Sequence, residues 1–265
     1  MKRYLIIVIA ALALAGCCGK GAGRKVAKPA NDYIAASYIY GDGDTLRYQF
    51  LEPVKVRAKA KYPLVLFLHG AGERGEDNLR QMIHCSRVFT NPANRIEYPA
   101  YVLFPQCPSD AFWAYSNRGG FTLDNMPAEN PETPVMAAVK GLLDTFLATH
   151  DDIDTNRLYI MGLSMGAMAT FDMVTRYPDL FAAAVPMCGA INPSRLTGAI
   201  KTPFRIFHGD ADPVVPLKCS RDAFWALYEA GVPVEIVEFP GVGHNVWDPA
   251  ITRDDFLPWV FSHKK

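Results

Sequence analysis

The sequence predicts an α/β fold: one mostly parallel central sheet with helices on both faces. Three observations lead there. Short apolar runs recur along the chain and are continuous, as in strands buried on both faces. Amphipathic helical stretches separate them, and no internal repeat or second linker breaks the alternation. A length of 265 residues with 50% hydrophobic residues suits one large core.

Residues 45–51 alternate enough to form an early antiparallel strand, and residues 64–68 (Leu-Val-Leu-Phe-Leu) form the first fully buried run. Similar runs follow at residues 101–104, 158–161, 182–186, 204–207 and 234–239. The helices predicted between them are 134–149, with Thr133 as cap and Pro134 in the first turn; 165–176, stopped by Pro178; and 217–230, ended by Gly231. A last helix is expected over 254–263, although Pro258 interrupts it. In such a sheet the ligand crevice lies at the carboxyl ends of the strands.

The N-terminus reads differently. Lys2 and Arg3 precede an apolar run over residues 4–15, too short to span a bilayer but suited to a secretory signal. It ends in Leu14-Ala15-Gly16-Cys17, which resembles the lipobox of bacterial lipoproteins, where the cysteine is lipidated. The expected organisation is a signal peptide over 1–16, a flexible Gly/Ala/Lys-rich tether over 17–32 and a catalytic domain over 33–265. That places the domain at a bacterial cell envelope, anchored to the periplasmic or outer-membrane surface through Cys17. Cys85, Cys107, Cys188 and Cys219 are expected to be available for disulfides there. No Cys/His spacing suggests a metal, and no motif calls for a cofactor. Lys plus Arg and Asp plus Glu number 27 each, so no basic footprint argues for nucleic acid; the expected ligand is a small or polysaccharide-linked molecule.

Gly162-Leu163-Ser164-Met165-Gly166 lies between a predicted strand and a predicted helix, the context of a nucleophile elbow. A serine hydroxyl needs a base. His244 sits in a loop after the last strand, in Gly241-Val242-Gly243-His244-Asn245, whereas His69, His84, His150, His208 and His263 end strands, lie near helix ends or belong to the tail. The acid belongs between the two in sequence. Gly209-Asp210-Ala211-Asp212-Pro213 follows a strand; Asp212, fixed by Pro213, is the first choice and Asp210 the alternative, the other one capping backbone N–H groups. The order Ser164, Asp212, His244 is that of the α/β-hydrolase fold. The N–H groups of Met165 and of Ala71, in the Gly-rich turn after residue 68, are the expected oxyanion donors, with a Glu73–Arg74 ion pair bracing the turn. Trp113 and Trp247 are candidates to line an acyl pocket, and any lid is expected within residues 105–133.

Four separated motifs then carry a resemblance: Leu68-His69-Gly70-Ala71-Gly72-Glu73-Arg74-Gly75 with Asp77-Asn78, Phe104-Pro105-Gln106-Cys107-Pro108, the Ser164 elbow, and Gly243-His244-Asn245-Val246-Trp247. Together they resemble the α/β-hydrolases grouped as secreted carboxylesterases, predicted peptidases and phospholipase/carboxylesterase-like proteins, related to feruloyl and acetyl esterases and polyhydroxyalkanoate depolymerases. The resemblance runs from about residue 40 to the C-terminus. It implies a serine carboxylesterase acting on short or aromatic acyl esters, carbohydrate-linked ones included. The alternatives are a serine peptidase of the prolyl-oligopeptidase type and a non-catalytic binding lipoprotein.

Overall fold

The computed structural model describes residues 32–114 and 125–265, together with the backbone of a two-residue strand, β1 (Ile6–Ile7). The remaining residues expected to form signal, lipobox and tether, Cys17 included, and the stretch 115–124 of the expected lid segment lie outside the described residues.

The described residues build one nine-stranded sheet. β2 (Ile34–Tyr40), β3 (Asp44–Leu51), β4 (Tyr62–Leu68) and β5 (Tyr101–Gln106) make one half, and β6 (Ile153–Leu163), β7 (Ala183–Met187), β8 (Phe204–Gly209) and β9 (Val234–Phe239) the other. The spatial order is β1-β2-β3-β5-β4-β6-β7-β8-β9. The first three pairings, from β1 to β5, are antiparallel, and every pairing from β5 to β9 is parallel. β2 is absent from the sequence reading because Ile-Ala-Ala-Ser-Tyr-Ile-Tyr neither alternates cleanly nor runs apolar. It is fixed by a hairpin whose turn places Gly41 at φ 54° and Gly43 at φ 118°, which side chains resist.

Successive residues of a strand point to opposite faces, so β4 feeds two cores: Leu64, Leu66 and Leu68 one, Val65 and Phe67 the other. α3 (Pro134–Thr149), α4 (Met165–Arg176) and α5 (Leu217–Glu229) cover the first. The short helices α1 (Ser86–Thr90), α6 (Trp247–Ile251) and α7 (Phe256–Ser262) cover the second, with α2 (Pro92–Glu97) following α1. α3 starts where its cap dictates: Thr133 Oγ1 accepts from Met136 N at 3.1 Å, and Pro134 sits at the first helical position. α7 is shorter than the predicted 254–263.

The disulfide expectation is corrected. Cys85, Cys107, Cys188 and Cys219 are all free and buried, each a small apolar packing element. No helix among the described residues is long and apolar enough to cross a membrane.

Candidate active site

β6 ends at Leu163 and α4 begins at Met165, leaving one residue, Ser164, to turn the chain. It does so at φ 52° and ψ −117°, a conformation that L-residues avoid and that persists only when its surroundings impose it. The flanking glycines make room. A Cβ on Gly162 would strike the carbonyl of Gly166, and one on Gly166 would strike the carbonyl of Leu68 at the end of β4. Ser164 N–H donates to Met187 O at 2.8 Å, tying the elbow to β7.

The loops after β8 and β9 are zipped together. Asp210 N–H donates to Phe239 O and Ala211 N–H to Val242 O, both at 3.1 Å. Gly209 is bare because a Cβ there would meet the carbonyls of Val242 and Gly243. Exposed Asp210 uses its carboxylate to accept from Gly241 N–H at 2.6 Å. Asp212 turns inward, and its side chain has no exposure. Its Oδ1 accepts from Val214 N at 2.8 Å and Val215 N at 3.0 Å, and its Oδ2 accepts from His244 Nδ1–H at 2.7 Å. His244 Nε2 lies 2.9 Å from Ser164 Oγ. With Nδ1–H committed to a carboxylate, Nε2 is left as acceptor for the serine proton. The structure thus brings Ser164, His244 and Asp212 into one hydrogen-bonded line and leaves Asp210 outside it as a loop cap.

Ala71 and Met165 are each the first residue of a helix, Ala71 in the one-turn 3₁₀ helix Ala71–Glu73, so neither N–H has an intrahelical acceptor. The turn reaches the elbow closely: a Cβ on Gly70 would sit 3.5 Å from Ser164 Cβ. His69 supports it from below. Cys107 N–H donates to its Nε2 at 2.9 Å and its Nδ1–H donates to Gly70 O at 2.6 Å. Burial lowers this imidazole to about 4, which keeps it neutral. The expected Glu73–Arg74 bracing does not form. Arg74 donates to Ala71 O and Ala111 O, each at 3.0 Å, and covers the Phe112 ring, while Glu73 Oε1 faces His84 Nε2 at 3.6 Å.

The two tryptophans part company. Trp113 is 0% exposed, and its indole N–H donates to His69 O at 3.1 Å. It offers no surface to a ligand, so its expected place in an acyl pocket is corrected to a buried prop of the oxyanion turn. Trp247, 9% exposed, stands edge-on to His244 with centroids 5.6 Å apart and touches His84 at 5.1 Å. Its indole nitrogen is buried without a partner, as is Oε2 of Glu73.

A second histidine escapes sequence reasoning. His208, fully buried at the end of β8, places Nε2 3.3 Å from Asp212 Oδ2. Nothing in a strand-terminal His-Gly announces this, because the contact depends on how the next loop folds back. Cys188, Asp212 and His244 have ligand-type atoms within 4.8 Å of one another. Asp212 and His244 bond each other, however, and burial pushes the Cys188 thiol far above its ordinary value, so the cysteine is a neutral neighbour. A cleft of about 580 Å³ lined by Tyr40, Arg47 and Phe112 contains none of Ser164, Asp212 or His244.

This chain is similar to known esterases over most of its length. It is 27% identical over 221 residues to a probable carboxylesterase of Oryza sativa subsp. japonica, covering 77% of this chain and 89% of that one. It is 28% identical over 198 residues to carboxylesterase SOBER1 of Arabidopsis thaliana, covering 69% and 83%. The crystal structure of a thermostable esterase superposes with a TM-score of 0.79 at 34% identity, covering 89% of this chain and 64% of that longer one. The sequence profile of the phospholipase/carboxylesterase family matches residues 51–253, most of the chain, and the protein is accordingly a member of that family of α/β-hydrolases, a serine ester hydrolase.

Proposed function

We propose that the protein hydrolyses esters of short or aromatic acyl groups, including acetyl or feruloyl groups linked to carbohydrate, through Ser164, His244 and Asp212. The observation that carries this is the unbroken line from Ser164 Oγ to His244 (2.9 Å) to Asp212 (2.7 Å), starting at a serine in a strained turn. Ser164 Oγ attacks the ester carbonyl as His244 Nε2 takes its proton. Asp212 keeps the imidazole in the Nδ1–H form and stabilises the imidazolium. The N–H groups of Ala71 and Met165 receive the oxyanion. Collapse expels the alcohol, protonated by His244, and leaves an acyl-Ser164 that water cleaves by the same steps in reverse roles. The acyl preference is supported by the aromatic ring of Trp247, which packs beside the base with ring centroids 5.6 Å apart.

A fluorophosphonate probe should label Ser164 in the wild type and not Ser164→Ala, whose turnover should fall by a factor on the order of 10⁶. A variant keeping a tenth of the activity would remove Ser164 from the mechanism. In kcat/KM, acetyl and feruloyl esters should exceed esters of about twelve carbons, since a long chain needs an extended apolar groove; the opposite ranking rejects the acyl preference. We also propose that Cys17 is lipidated and anchors the domain at the cell envelope, on the strength of Leu14-Ala15-Gly16-Cys17. Cys17→Ala in the full chain should leave the membrane fraction, and its persistence there would refute the anchor.

A further inference from the structure

We propose that His208 is a positioning residue for catalysis: its Nε2–H donates to the outer oxygen of Asp212, so the acid is clamped between two imidazoles. This rests on the reading of Ser164, His244 and Asp212 given above. Four nitrogens surround the unexposed Asp212 carboxylate, two at each oxygen. Oδ1 has the N–H groups of Val214 and Val215, and Oδ2 has His244 Nδ1 at 2.7 Å and His208 Nε2 at 3.3 Å.

The tautomer of His208 follows from its other partners. Nε2 lies 2.9 Å from Val215 O, a carbonyl that can only accept, so this nitrogen carries hydrogen, and Asp212 Oδ2 lies 3.3 Å from the same nitrogen. Nδ1 then accepts from Ser220 Oγ–H at 2.7 Å. Burial lowers the basicity of the ring and keeps it neutral, so it adds a donor and no charge.

A donor on Oδ2 competes with His244 for the same oxygen. Without it, Oδ2 would hold the His244 proton more firmly, while Oδ1 would stay tied to the N–H groups of Val214 and Val215. His208 thereby completes the setting of Asp212 and sets the proton affinity of the base. The other titratable groups facing this cluster are quiet. Cys188, from the end of β7, donates Sγ–H to His244 O at 3.4 Å and is held neutral by burial. Cys219 on α5 is pushed up to about 11. Glu238, paired in register with His208 on β9, is bound to Arg221 at 2.7 Å, and Asp210 caps Gly241.

The test is the pH profile of kcat/KM, whose acid limb reports His244 in the free enzyme, with enzyme concentration set by active-site titration. His208→Phe keeps the ring shape and removes the donor. Its plateau should fall roughly tenfold and its acid limb should move up by about half a pH unit. His208→Gln, which restores an N–H near Nε2, should recover most of the rate and return the limb to the wild-type position. An unmoved limb in His208→Phe overturns the proposal. Should that variant not fold, His208→Met, which fills the site without an N–H donor, takes its place; its limb should also shift upward, and an unmoved limb there overturns the proposal equally. Fluorophosphonate labelling separates the two levels of failure. No label at Ser164 in the wild type sinks the triad itself, whereas normal labelling with unmoved limbs sinks only the role of His208.

Discussion

The two walls flanking Ser164 are built on opposite principles. On the acid side, every polar atom of Asp212 is satisfied, His208 has a partner for each nitrogen, and Asp210 staples the loop after β9 to the loop after β8. On the oxyanion side, Glu73 Oε2 is buried with no partner, as is the indole nitrogen of Trp247 beside the base, and His84 stands between the two side chains at 3.6 Å from one and 5.1 Å, ring to ring, from the other. A buried carboxylate is tolerable only when donors replace water, so the acid side is a finished, rigid mount. The oxyanion side holds unused hydrogen-bonding capacity. Orientation of the base is thus fixed by satisfied partners, while the wall that carries the oxyanion turn keeps unsatisfied ones.

The largest effect should come from disturbing the finished wall. Asp212→Asn should lower kcat on the order of 10⁴-fold, because an amide can present N–H to His244 and select the wrong imidazole tautomer. Asp210→Asn should stay within about threefold, since an amide oxygen can still accept from Gly241 N–H. Steady-state kinetics on the two variants checks the contrast, and a reversed ranking would make Asp210 the acid.

Stability against pH probes the prop beneath the oxyanion turn. His69 is lowered to about 4 by burial, while an exposed imidazole titrates near 6.5. The unfolded chain therefore takes up a proton first as pH falls. Full stability is present above about pH 6.5, and it is lost progressively down to about pH 4, by up to about 3 kcal/mol from this group. His208, also lowered, pushes in the same direction. Urea unfolding from pH 7 to 4 should show the loss, and His69→Gln, which cannot titrate, should show less of it. Parallel slopes would mean that His69 opens to water in the native state.

Much of this architecture was legible in the residues. The bounds of α3 and α4 follow from Thr133-Pro134 and from the elbow, because caps and forced turns are local chemistry. The inner parallel strands were visible because burial on both faces leaves a continuous apolar run, whereas β9, at the sheet edge, is only partly buried and carries Glu235 and Glu238. β2 was hidden: its pattern is mixed and its existence depends on pairing, although Gly41-Asp42-Gly43 between two segments was a readable hairpin signal. The line from Ser164 to Asp212 was readable from chain order. Trp113 was not, since an aromatic letter does not say which side of a loop it packs against. His208 was hidden for the same reason, its partners being set by the fold of residues 212–220.

The smallest effect expected is the one that sharpens the comparison most. Glu73→Gln keeps the shape of the side chain and removes an acidic group whose Oε2 has no partner and whose Oε1 lies 3.6 Å from His84, beyond a good hydrogen bond. No satisfied interaction is lost, so thermal unfolding should be unchanged or stabilised by up to about 1 kcal/mol. Asp212→Asn is the matched control, also a carboxylate turned to amide. There the new N–H₂ must face N–H donors already in place, and a loss of about 1–3 kcal/mol is expected. Equal destabilisation by both changes would mean that Glu73 Oε2 has a bonding partner after all, such as a bound water, and that the oxyanion wall is as finished as the acid wall. A neutral Glu73→Gln beside a costly Asp212→Asn would establish that the two walls differ in satisfaction and not merely in sequence.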